Sequence, residues 1–374
     1  MKKLTGPKLM VGIPHICADI LYVSGFKASD PVVFLDDGRN KYLVVSRMEI
    51  GRARAANPQL TVLAPDDLDL TPAKRRHTAQ WAVGLLKKSG IRRVSVAGTF
   101  PLDAARALEQ YGVRIDVSKE ALCPERTIKK PLEIAHIRSA QQAAVSSLRK
   151  ALKVLADARI DARRQLRVGH TLLTSEGLRK IINLALLERN CAGGEPIVAC
   201  GPLSANPHCV GYGPLKAGEP IVLDIFPQDL ETGYWGDLTR TVVKGSPSPA
   251  LVRMYQAVKQ VQAEALGAIR SGVRSASIHQ RVVTGFEKLG FENRLTDGIA
   301  EGFIHGTGHG VGLEIHEGPS LGRSEAVLRA GHVVTVEPGL YYTDLGGIRI
   351  EDTVVVTRQG CDVLATCPKQ LTIR

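Results

Sequence analysis

The spacing of apolar residues changes several times along the chain, and each change marks an element. Over 31–46, Pro31-Val-Val-Phe-Leu-Asp-Asp-Gly-Arg-Asn-Lys-Tyr-Leu-Val-Val-Ser shows two β-type runs around an Asp-Gly step, which predicts a hairpin. Residues 73–89 switch to helical spacing through Trp81, Val83, Leu85 and Leu86, and stop at Gly90. A strand at Arg93-Val-Ser-Val-Ala and a helix over 102–111 follow. Alternating strands and helices predict a small α/β domain over 1–125, with Pro124, Lys129, Lys130 and Pro131 as breakers at its end. The remainder, 126–374, opens with a long alanine-rich amphipathic helix at 132–158 and has further helices at 173–190 and 250–270. Strands are predicted at 196–200, 220–226, 234–243, 333–337 and 348–356. Helices followed by antiparallel strands make this second part α+β. No repeat of 20–50 residues and no low-complexity tract interrupts it.

Composition narrows the classes. Hydrophobic residues at 44% and charged residues at 23% are those of a folded enzyme-like chain, and aromatics at 5% are too few for stacking bases or sugars. Apolar runs stop well short of the ~18 residues a membrane span needs. Met1-Lys2-Lys3 is basic but leads into no apolar run with a cleavage site, so no secretory signal is expected. Seven scattered cysteines without a CxxC pair predict reduced thiols and a cytoplasmic location. Residues 1–200 carry 33 Lys+Arg against 19 Asp+Glu, whereas 201–374 carry 16 against 18. The basic half has no accompanying nucleic-acid motif and reads as a solvated surface, so nucleic acid is not an expected partner.

The near-neutral half places acids where strands should be apolar. Asp224 interrupts Ile221-Val-Leu-Asp-Ile-Phe, and Asp237 follows thirteen residues later in Gly233-Tyr-Trp-Gly-Asp-Leu-Thr-Arg-Thr-Val-Val. Strand alternation puts Asp237, Thr239 and Thr241 on one face, and a turn at Pro227–Thr232 would bring the two acids together. Glu337 ends Val333-Val-Thr-Val-Glu, and Gly347-Ile-Arg-Ile-Glu-Asp-Thr-Val-Val-Val puts Arg349, Glu351 and Thr353 on one face. A bare carboxylate costs several kcal/mol to desolvate. Four converging acids must therefore take up protons or be compensated by cations. His305-Gly-Thr-Gly-His309-Gly-Val-Gly-Leu-Glu-Ile-His316 supplies imidazoles among glycines that let backbone approach closely. Asp224, Asp237, His309, Glu337 and Glu351 are thus the candidate metal ligands. Two divalent ions balance four carboxylates, and oxygen-rich ligation with one nitrogen suits Mn²⁺, Co²⁺ or Zn²⁺.

Together, Asp224…Asp237-Leu-Thr-Arg-Thr, His305-Gly-Thr-Gly-His-Gly-Val-Gly-Leu…His316-Glu-Gly-Pro, Thr335-Val-Glu-Pro-Gly-Leu-Tyr and Arg349-Ile-Glu-Asp-Thr resemble the creatinase/aminopeptidase P/prolidase metallopeptidases. The resemblance covers about 125–374 and extends weakly to 1–120. It implies a pita-bread catalytic domain preceded by a smaller α/β amino-terminal domain, and two metals held by the five residues above, with Asp237 and Glu351 bridging. It further implies that His208, His305 and His316 hold substrate and assist proton transfer, that Glu337 moves a proton, and that Arg349 orients the carboxylates. The implied reaction is attack of a metal-bridging hydroxide on short peptides, at the Xaa–Pro bond, by an aminopeptidase or dipeptidase. A homodimer is expected as well. The interval between the two aspartates is wider than in many members. Three other readings stay open: hydrolysis of a non-peptide amide or amidine, a methionine aminopeptidase-like activity, and an inactive binding module with a basic amino-terminal surface.

Overall fold

The computed structural model describes residues 6–119 and 121–373, so Met1-Lys2-Lys3 lies outside the described residues. The chain divides into two compact units, Met1–Arg126 and Thr127–Arg374.

In the first unit a six-stranded sheet runs in the spatial order Thr61–Leu63, Lys41–Val44, Val32–Asp36, Lys8–Gly12, Arg93–Val96, Arg114–Val117. The predicted hairpin is present: Val32–Asp36 pairs antiparallel with Lys41–Val44. Its turn is closed by Asp37 Oδ1, which accepts from the N–H groups of Arg39 at 2.7 Å and Asn40 at 2.6 Å. The helices Thr78–Ser89 and Leu102–Gln110 bury Trp81, Leu85, Leu86 and Leu108 with Leu9, Val33 and Val94 of the sheet.

The second unit holds two helix-backed sheets. One runs Ile197–Cys200, Ile221–Ile225, Leu238–Lys244, Thr372–Ile373, and shares a core with the helices Pro131–Asp157 and Ser175–Leu187. The long helix starts where Pro131 occupies a first-turn position, which needs no N–H, and the Glu133 carboxylate accepts the Lys130 N–H at 2.8 Å. The other sheet runs Glu317–Leu321, Gly308–Gly310, Val333–Val336, Asp352–Val356, Cys361–Val363. It shares a core with Pro249–Ala268 and with Ser275–Lys288, a helix that the periodicity left unpredicted. A ribbon of Gly339–Tyr342 and Gly346–Arg349 stands apart from both sheets.

Two predicted strands need correction. The run 348–356 is not one strand, because it breaks at Ile350-Glu351 and its halves, Gly346–Arg349 and Asp352–Val356, join different sheets. The run 234–243 begins only at Leu238, because the segment before it bridges Gln228 to Trp235 instead. Only Asp224 therefore lies within a strand; Asp237 precedes one, Glu337 follows one, and Glu351 sits in a break. Strand ends are where a side chain is least committed to the sheet's own pleat. Among the described residues no helix is long and apolar enough to cross a membrane.

Candidate metal centre and active site

All nine residues singled out in the sequence line one cavity of about 560 Å³: Asp224, Asp237, His309, Glu337, Glu351, His208, His305, His316 and Arg349. Its apolar wall includes Ile197, Val210, Phe226 and Ile315.

The backbone that carries each acid is tied down by hydrogen bonds from distant segments. Asp224 sits in register with Ile197 on one side and Thr239 on the other. The peptide of Asp237 is clamped by the fully buried Gln141: Asp237 N–H donates to Gln141 Oε1 and Gln141 Nε2 donates to Asp237 O, each at 2.7 Å. Thr353 Oγ1 donates to the same carbonyl at 2.7 Å. Glu351 N–H donates to Thr239 O at 3.1 Å, and Thr239 Oγ1 donates to Glu351 Oε2 at 2.7 Å. The hydroxyl of Thr335 accepts from His309 N–H at 3.0 Å and donates to Glu337 Oε1 at 3.1 Å. The glycines flanking His309 are required sterically. A Cβ on Gly308 would stand 2.1 Å from Thr335 O, and one on Gly310 would stand 2.5 Å from Gly318 O.

The functional atoms then converge. His309 Nδ1 lies 3.1 Å from the Gly310 carbonyl, a contact that assigns its proton to Nδ1 and turns Nε2 toward the acids. Nε2 stands 3.2 Å from Glu337 Oε1 and 3.5 Å from Asp237 Oδ2. Donor atoms of Asp237, His309 and Glu351 lie within 4.8 Å of one another. Arg349 Nη2 pairs with Asp224 Oδ2 at 2.6 Å, and its Nη1 donates to Tyr341 Oη at 2.8 Å. Tyr341 in turn is 3.0 Å from His305 Nε2, whose Nδ1 faces the Gly306 carbonyl at 2.7 Å. With Arg349 donating to Oη, the phenol proton points to His305. Sequence reasoning missed both Tyr341, which lies in the Thr335–Tyr341 motif, and Gln141, which carries no local signal. The rings of His309 and His316 meet edge-on at 4.3 Å, while His208 and His316 are exposed at the cavity.

Electrostatically the cluster is short of positive charge. Burial, then the charges of Glu351, Asp224 and Glu337, push Asp237 well above the usual carboxylate range. Burial and the same neighbouring acids do likewise to Glu351. Burial opposes ionisation of Glu337 too, but His309 in its protonated form, which carries a second proton on Nε2, more than offsets that and brings the Glu337 pKa down to about 2. Burial pushes His305 and His316 below the ordinary imidazole value, with the neighbouring His309 adding to the effect on His316. Two buried carboxylate oxygens, Asp224 Oδ1 and Glu351 Oε1, have no hydrogen-bond partner. Buried acceptors without partners are rare, and two inside one acid cluster mark a place for cations. The donor set, four carboxylates and one imidazole, fits divalent ions of the Mn²⁺, Co²⁺ or Zn²⁺ kind.

Fold and centre together define an α+β pita-bread protein with a buried carboxylate–imidazole cluster. Residues 146–358, a span that includes all five candidate ligands, match the model of metallopeptidase family M24. The chain belongs to this family. It is 37% identical over 182 residues to a Xaa-Pro dipeptidase from Pyrococcus furiosus, covering 47% of this chain and 49% of that one. An uncharacterized peptidase, YqhT, from Bacillus subtilis is 39% identical over 181 residues, 48% of each chain. These matches span about half the length of the curated relatives. The solved structure of a Xaa-Pro dipeptidase from Bacillus anthracis superposes with a TM-score of 0.83 at 24% identity, over 98% of this chain and 95% of that one, which shows the shared fold.

Proposed function

We propose that this chain is a dinuclear-metal peptidase that hydrolyses short peptides at the Xaa–Pro bond. The observation that carries the reading is the pair of unpartnered buried oxygens, Asp224 Oδ1 and Glu351 Oε1, in a cavity that also holds Asp237, His309 and Glu337. Asp224, Asp237, His309, Glu337 and Glu351 would hold two ions, Asp237 and Glu351 bridging them. Manganese is the first ion to try. Bound there, the metals would bring water to near-neutral acidity and so supply the nucleophile.

The protein groups do the rest. Arg349 holds Asp224 in place, and the substrate's free amine anchors beside Asp224. Ile197, Val210, Phe226 and Ile315 take the proline ring, which gains by leaving water. His208 and His316 donate to the carbonyl oxygen as its charge grows. His305 is oriented by Tyr341 to position the substrate backbone. Glu337 carries a proton to the leaving imide nitrogen as the C–N bond breaks. The first unit is read as the family's amino-terminal domain, and the active species as a cytoplasmic homodimer whose thiols stay reduced. In keeping with inert thiols, burial pushes the pKa of Cys200 up to about 12.

A release assay on metal-stripped protein given Mn²⁺, Co²⁺ or Zn²⁺ tests this. Ala-Pro or Ala-Pro-Ala should be cleaved only with metal. Cleavage of Met-Ala-Ser or creatine in their place would overturn the Xaa–Pro reading, and cleavage in the presence of chelator would overturn the metal reading.

A further inference from the structure

Two residues of the motifs quoted above are absorbed by nothing in that mechanism: Arg240 of Asp237-Leu-Thr-Arg-Thr and Asp352 of Arg349-Ile-Glu-Asp-Thr. Each is the immediate neighbour of a residue at the centre, Thr239 or Glu351, yet their side chains meet each other instead. Arg240 Nη2 pairs with Asp352 Oδ1 at 2.7 Å, with the two side chains 2% and 3% exposed. A buried ion pair holds its place only when the remaining donors and acceptors are also satisfied.

Here they are. All five guanidinium N–H groups of Arg240 have acceptors. Nε donates to Pro368 O at 3.2 Å, Nη2 to Cys367 O at 2.9 Å as well as to Asp352, and Nη1 to Thr239 O at 2.9 Å and to Glu351 O. Asp352 Oδ2 accepts from Lys369 Nζ at 2.5 Å and from Gln262 Nε2 at 3.0 Å. Lys369 Nζ also donates to Gln262 Oε1 at 2.7 Å, which fixes the orientation of that amide. Gln262 Nε2 lies 3.3 Å from Val336 O, the carbonyl just before Glu337. One network thus grips three backbone segments: Thr239, whose hydroxyl holds Glu351; Glu351 itself; and the approach to Glu337. It draws its second cation from Cys367-Pro368-Lys369, a segment that lines no part of the cavity.

We propose that Arg240, Asp352, Gln262 and Lys369 form a positioning network that sets the geometry of Glu337 and Glu351, so that metal affinity at the centre depends on the Cys367–Lys369 segment. None of the four touches the reacting atoms. Lys369 is the informative member because its side chain is 24% exposed and its replacement leaves the Arg240–Asp352 pair in place. The inference rests on the reading of the centre as a metal site.

The experiment titrates Mn²⁺ alone, without substrate, into metal-stripped full-length wild type, K369M, K369Q and K369R by calorimetry, and records the melting temperature of each stripped protein. K369M and K369Q are expected to bind Mn²⁺ about tenfold more weakly, the low end of what losing an outer partner costs a metal site. K369R, which keeps the charge and the donors, is expected to restore affinity, and the spectrum of paired Mn²⁺ ions should broaden in K369M but not in K369R. Unchanged Mn²⁺ affinity in K369M or K369Q, whatever happens to the melting temperature, reduces the network to a brace and overturns the proposal. Absence of Mn²⁺ binding by wild type overturns the metal reading itself, a separate outcome.

Discussion

Two clusters of buried charge sit one residue apart along the same two backbone segments, and they are built on opposite terms. Around Glu351 the acids outnumber the cations, two carboxylate oxygens lack partners, and neighbouring charges push Asp237 and Glu351 toward protonation. Around Asp352 every guanidinium N–H of Arg240 finds an acceptor, and although burial opposes its ionisation, Arg240 and Lys369 hold the Asp352 carboxyl below the usual range. A step of one residue, from 239 to 240 and from 351 to 352, separates them, because successive side chains leave an extended backbone in opposite directions. The contrast teaches that burial of charge does not by itself mark a site. Incomplete satisfaction does. The satisfied cluster has no valence left for a ligand and can act only on the backbone it grips, whereas the unsatisfied one has open acceptors.

The sharpest way to break the comparison is to remove charge from the unsatisfied side. On the proposed dinuclear reading, Glu351→Gln is expected to lower the metal content to one ion per chain or fewer, a loss larger than the roughly 10–100-fold typical of outer partners. Elemental analysis after dialysis checks it, and two ions with unchanged turnover would remove Glu351 from a bridging role. Next in size, His316→Ala should lower kcat by about 10²–10³-fold while metal content stays at the wild-type level, as for loss of one donor to a developing oxyanion. Parallel loss of metal would make His316 a ligand, and near-normal turnover would make it a packing residue.

A third buried position, His332, asks whether satisfaction also governs single groups. Its Nδ1 accepts from Arg329 N–H at 3.1 Å, so the neutral ring is the bonded form, and burial with help from Lys129 and Arg329 pushes its pKa down to about 4. Unfolded, it titrates near 6.5. Between these values the unfolded chain binds a proton that the folded chain refuses. Stability is therefore full above about pH 6.5 and falls as pH drops toward about 4, by roughly 2–3 kcal/mol. Denaturant midpoints across that window should show the slope in wild type and a flatter profile in His332→Gln; equal slopes would refute the assignment. The smallest expected effect lies at the clamp on Asp237. Gln141→Leu strips partners from a buried N–H and leaves Thr353 alone on the carbonyl, so it should cost about 1–3 kcal/mol in chemical denaturation. A cost near zero would mean that the peptide finds other partners.

These tests turn on features that were unequally legible in the sequence. The hairpin at 31–46 and the long helix from Pro131 were readable because their signals are local: an Asp-Gly turn, a proline at a helix start, and apolar spacing of one period. Helix Ser275–Lys288 was missed, its apolar stripe reduced to a few positions such as Ile278, Val282 and Phe286. The candidate ligands were visible because an acid in an apolar run is costly wherever it occurs. Their support was not visible. Gln141 and Asp237 are joined across the long helix and a strand entrance, and Tyr341 joins Arg349 to His305 from a separate ribbon.

What the sequence by itself determined is the kind of residue at each position and its local period, and with them the motifs that mark the family and a set of candidate acids and imidazoles. The tertiary structure decided where those groups meet. Period-two alternation describes an unbroken strand, whereas the chain breaks at Ile350-Glu351 and hands its two halves to different sheets. That break brings Glu351 to Thr239 and Asp352 to Arg240 through pairings that span more than a hundred residues. Such contacts depend on sheet register and on the packing of helices behind it, and local spacing carries no record of either.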